Sequence, residues 1–216
     1  LLLLVYRVVV VAPHARALAV VEETRTQLGP LMSSARLPLL ALPGLAEPGP
    51  GPLAVDQPLL DPLQRPLVEG IIARLERSTE DSPGLVQLHS LVASSWLLLG
   101  RDRDARMSYE QVLALGGDTQ RQHAALALGV LALRNSLRQN SAQDRSFAFE
   151  HALSYFEGVV EEAEERVLLD GLVNQSVALV LLGRMESADS VLAMLPNLSG
   201  GRERQTTLRL WVATGA

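Results

Sequence analysis

The chain has no cysteine and no lysine: all 19 of its basic residues are arginine. Without cysteine there is no disulfide framework, thiolate nucleophile or thiolate metal site. Without lysine there is no Schiff-base chemistry, no pyridoxal phosphate anchor and no Walker lysine for a phosphate-binding loop. Aromatic residues make up only 4% of the 216 positions, and the net charge is −5. That balance argues against a broad basic surface for nucleic acid or an anionic membrane. The four histidines, His14, His89, His123 and His151, are far apart. None pairs with another ligand type at the i, i+4 spacing of a helix, so no metal site is expected. Nucleophile elbows, dinucleotide loops and zinc-protease helices are also missing from the chain. The absences point to a protein without catalysis and without a cofactor.

Long hydrophobic runs are lacking too. The opening stretch, Leu1 to Ala12, is apolar apart from Tyr6 and Arg7. It falls short of the ~18–20 residues that span a bilayer, and no basic segment precedes it as in a secretory signal. A cytoplasmic protein without membrane insertion is the expectation. The chain opens on leucine rather than methionine, as a processed chain or a fragment of a longer protein would.

Proline is scarce except in one place: eight of the twelve lie between residues 38 and 66. Proline donates no backbone hydrogen bond and restricts the residue before it, so a continuous helix or strand through the stretch is excluded. Three segments follow: an N-terminal appendage over 1–45, a Pro/Gly-rich linker over 46–65, and a helical domain over 66–216. In the appendage the β-branched run Val8 to Val11 reads as a buried strand, with the remnant of a hydrophobic anchor as the rival reading. A helix over Ala15–Leu28 is expected to break at Gly29-Pro30, and Leu37 to Leu42 would supply a second strand, completing a small β-α-β element.

What the chain has in abundance is small and large apolar residues at recurring spacing. Leu99-Gly100 is followed by Ala105 and Tyr109, and Leu182-Gly183 by Ala188 and Leu192. Glycine ends one helix, alanine admits close approach of the next, and the large residue four positions on fills the groove beside it. A middle copy, longer in its turn, places Gly129 in a first helix and Ala152 with Phe156 in a second.

These residues resemble the tetratricopeptide repeat (TPR) family, whose unit is a 34-residue helix-turn-helix. Residues 86–119 match best, with Ala93, Trp96, Gly100, Ala105, Tyr109 and Val112 at the family positions. Residues 122–160 form an expanded second copy and 169–200 a third, so the resemblance covers about half the chain. It implies a mainly α solenoid of about three helical pairs, closed by a capping helix near 202–214. It also implies a partner-binding concave face on the first helix of each pair: Gln87, Ser90, Ser94, His123, Arg134, Asp170 and Asn174. This set has no lysine and few asparagines, unlike the peptide-carboxylate clamps of the family, and fits a helix or extended segment better. The expected function is a protein-protein interaction scaffold, as subunit or assembly factor of a larger complex, with an oligomer as one form of it. Two rivals stand beside it. One is the helical-repeat sensing or oligomerising arm of a larger regulator, such as a signal-dependent transcription activator or ATPase. The other is an enzyme built at the strand ends, where His14 and Arg16 are the nearest chemical groups.

Overall fold

The computed structural model describes residues 12–35, 59–159 and 163–213. Among them are nine α-helices and no strand. In chain order they are α1 (Ala12–Ser34), α2 (Arg65–Asp81), α3 (Val86–Leu98) and α4 (Asp102–Leu115). Then come α5 (Asp118–Leu137), α6 (Ala142–Glu157), α7 (Glu165–Leu181), α8 (Met185–Leu192) and α9 (Gly201–Ala213). The helices fall into two compact units that divide at Gly116 and Gly117. The first holds α1 to α4 and the second α5 to α9.

The N-terminal region differs from expectation. The runs Val8 to Val11 and Leu37 to Leu42, on which a β-α-β element depends, lie outside the described residues. The helix between them does not stop at Gly29-Pro30 but continues to Ser34 with Pro30 inside it. Its buried residues, Ala17, Val21, Thr24, Leu28 and Leu31, keep one helical face across the proline. Burying a leucine contributes about 1.5–3 kcal/mol, which offsets much of what an internal proline costs. The carbonyls of Pro30 and Leu31 accept bonds from the Ser33 and Ser34 hydroxyls near the helix end. Because α1 packs on both α2 and α3, this segment is part of the first helical unit.

One packing scheme recurs in both units. In the first, α1 lies against α2, α2 against α3, and α3 against α4, while α1 also touches α3. In the second, α5, α6, α7 and α8 repeat the scheme, with α5 against α7, and α9 then packs against α7. The helices form hairpins, and within each unit the first helix of one hairpin also meets the first helix of the next, α1 with α3 and α5 with α7. The difference in burial follows. Twelve of the 17 residues of α7 are buried, whereas α4 buries only Ala105, Tyr109 and Val112 along one stripe. A helix apolar all round is enclosed; one with a single stripe faces solvent on the other side.

The turn from α3 to α4 and the turn from α7 to α8 are the same structure. Gly100 and Gly183 take φ of 72° and 73°, the left-handed region that glycine alone enters freely. The Gly100 N–H donates to the Leu97 carbonyl and the Arg101 N–H to the Trp96 carbonyl, both at 2.9 Å. Gly183 and Arg184 repeat these bonds to Val180 and Leu179, again at 2.9 Å. The pair of bonds is the Schellman closure of a helix end. Arg101 and Arg184 then open the following helices, and Ala105 and Ala188 are buried against their partners. In the middle hairpin the contact is made by Gly129 and Phe156: a Cβ on Gly129 would collide with the phenyl ring.

Candidate functional site

The residues expected on the concave face fall into three environments. On α3, Gln87 and Ser90 are half-buried, and the Ser90 hydroxyl donates to the Val86 carbonyl of its own helix at 3.1 Å. Ser94, one turn on, faces the second helix of its hairpin instead, with its Oγ 3.3 Å from the Tyr109 hydroxyl. Burial raises the Tyr109 phenol above its usual range, and the bond to Ser94 partly opposes that shift. Gln87, Ser90 and the adjacent Leu91 are half-buried, as are Val86, His89, Ser94 and Trp96 of the same helix.

In the second unit three of the residues lie inside the protein. Arg134 is 4% exposed, and Asp170 and Asn174 are 0% exposed. Asp170 and Asn174 sit one turn apart on α7, and α7 is packed by α5, α6, α8 and α9. They occupy an enclosed polar cluster and not an open groove. Asp170 Oδ1 accepts from Arg204 Nη1 of α9 at 2.5 Å and lies 3.5 Å from Arg166 Nε, one turn back on α7. Arg204 is itself buried. The two arginines line a cavity of about 150 Å³ with Leu169, Ser199, Glu203 and Thr207. His123 of α5 lies close enough to Glu164 and Asp170 to feel both charges. Burial outweighs them and holds its imidazole below the usual histidine range. Its Nε2 is enclosed and has no hydrogen-bond partner among the described residues.

A carboxylate held between two guanidiniums is fixed in place by charge-assisted bonds, the geometry of a positional clasp. No group of three or more His, Asp or Glu positioned to hold a metal occurs among the described residues. His14 and Arg16, the nearest groups to the expected strand ends, are exposed on α1. No helix among the described residues is long and apolar enough to cross a membrane. At the start of α7, Glu165 accepts from the Ser199 N–H at 2.6 Å, which holds its carboxyl below the usual range.

Four polar contacts share one separation. Arg65 Nη2 reaches the Leu99 carbonyl at 3.5 Å, Arg184 pairs with Glu150, Ser199 donates to Glu165, and Arg204 pairs with Asp170. Each joins residues 34 positions apart. Each also links an element to its counterpart, or to the turn entering that counterpart, one hairpin further along. Arg166 and Arg204 were not among the residues expected at a site. The signal was present in the sequence, since Arg204 lies one such interval beyond Asp170, but a register for α9 was needed to see it.

Comparison of the chain with protein-family models, with curated proteins and with solved structures found no match.

Proposed function

We propose that the chain is a TPR-like interaction scaffold that holds a helix or extended segment of a protein partner against the first helices of its hairpins, without catalysis. The observation that carries this is the 34-residue ladder of contacts between successive hairpins. That interval is the TPR unit length, and within each unit the first helices of successive hairpins lie in contact. Support also comes from the identical closures at Gly100 and Gly183. With Arg134, Asp170 and Asn174 enclosed, the binding surface in this reading centres on Gln87, Ser90 and Leu91 of α3. These residues offer an amide, a hydroxyl and an apolar patch, a mixed lining that suits a neutral amphipathic segment.

The test is co-purification from the native source with a Gln87→Arg, Ser90→Arg double variant and, as a control, Arg106→Glu on the exposed side of α4. Partner recovery is expected to fall at least tenfold for the double variant and to hold for the control, with helical content unchanged in both. Equal recovery from all three chains would remove α3 from the binding surface.

A further inference from the structure

We propose that the outer face of α6, with the start of α8 beside it, is a second docking surface, and that its occupant is a basic amphipathic helix of a protein partner. The surface belongs to the second helix of its hairpin, so it goes beyond the scaffold reading, which concerns the first helices.

The chain has three phenylalanines, three tyrosines and two tryptophans, and half of these rings fall on α6: Phe147, Phe149, Tyr155 and Phe156. They divide by face. Phe149 and Phe156 are buried in the core of the unit, whereas Phe147 is 76% exposed. Steps of four residues place Phe147, His151 and Tyr155 on one stripe along the side turned away from Phe149 and Phe156. His151 is exposed and Tyr155 half-buried, and their rings meet edge to face with centroids 5.0 Å apart. Two of the three rings are thus held in place without a partner, which lowers the cost of ordering them on binding. At 1.5 Å per residue the stripe runs about 12 Å, enough to lie along two turns of another helix. Large rings of this kind are enriched where protein partners dock.

The charge beside the stripe decides what fits. Asp144 is exposed one turn before Phe147. Glu150 flanks the stripe and pairs with Arg184, the residue that opens α8. Beyond that contact α8 presents the exposed Met185, Glu186 and Asp189. With Glu157 at the end of α6, five carboxylates stand on the two helices against two guanidiniums, Arg145 and Arg184. Arg184 is engaged by Glu150, and Arg145 is half-buried. An open phenyl ring and an exposed methionine in a negative field match a helix with apolar residues along its middle and lysines or arginines along its flanks. Its apolar side would cover Phe147 and Met185, while its cations meet the carboxylates and the ring faces. A helix with acidic flanks is repelled by the same field.

The probe is a labelled leucine–lysine peptide of about four helical turns, and its control is the same peptide with glutamate at every lysine. Affinity for the full chain is read by fluorescence anisotropy. The lysine peptide is expected to bind at least tenfold tighter than the glutamate peptide. Phe147→Ser is expected to weaken the lysine peptide at least fivefold, and the Glu186→Gln, Asp189→Asn double variant to weaken it as well. Met107→Ser, which removes a 58% exposed methionine from α4, is expected to leave it unchanged. All of these positions are exposed, and circular dichroism checks that each variant keeps its helical content. No binding of the lysine peptide, or equal binding of the two peptides, would overturn the proposal. So would full affinity in Phe147→Ser, which would mean attraction by net charge alone. The α3 variants that test the scaffold reading lie on another helix, so either reading can fail without the other.

Discussion

Residue by residue, the fold depends on a few positions that tolerate one kind of side chain. Gly100 and Gly183 take left-handed φ with open space around them, so an added methyl meets only backbone strain. Gly100→Ala and Gly183→Ala are each expected to lower stability by about 1–2 kcal/mol in urea denaturation, through the cost of placing an L-residue in that region. Thr24 is the opposite case. Its Oγ1 is enclosed in the α1 interface and has no partner among the described residues. Thr24→Val keeps the shape and removes a group whose burial without a partner costs about 1–3 kcal/mol, so a higher melting temperature is expected. The glycines were legible in the sequence, because Leu-Gly followed at five residues by alanine is a helix end and a close approach. Thr24 was not, since a threonine among apolar residues carries no mark of which face it will occupy.

Helices and turns are the scale at which charge matters most. Breaking the α7–α9 clasp with Arg204→Met leaves Asp170 buried beside a partly exposed Arg166, and a loss of about 3–5 kcal/mol is expected by chemical denaturation. His123 adds a dependence on pH. Its folded pKa is depressed, so below the ordinary value of 6.5 the unfolded chain binds a proton that the folded chain refuses. The associated stability is present above pH 6.5 and is lost as pH falls through the folded value. Unfolding free energies measured from pH 7.5 down to 5 should decline less steeply for His123→Gln than for the parent chain. Helix α1 shows where element-level reading stops. Gly29-Pro30 predicts a break, but the face formed by Val21, Leu28 and Leu31 continues across it, and packing on α2 and α3 prevails over local preference. The placement of Asp170 and Asn174 shows the same limit: their i, i+4 spacing fixes a shared face of α7, while only the partners of α7 decide whether that face is open.

For the whole molecule, the predominance of helix was readable from small-large apolar spacing, because that spacing is itself the interface between helices. The division at Gly116 and Gly117 was not readable, since a glycine pair between two amphipathic segments serves equally as a turn within one stack. The central claim is that the first helices of the hairpins form the face that holds a protein partner. Its most direct measurement is site-specific photocrosslinking in the native source, with the crosslinking residue placed at Gln87, at Ser90, or at Glu110 on the exposed side of α4. One and the same partner protein should be captured from Gln87 and Ser90 and not from Glu110. Capture from Glu110 alone, or from all three positions alike, would contradict the claim.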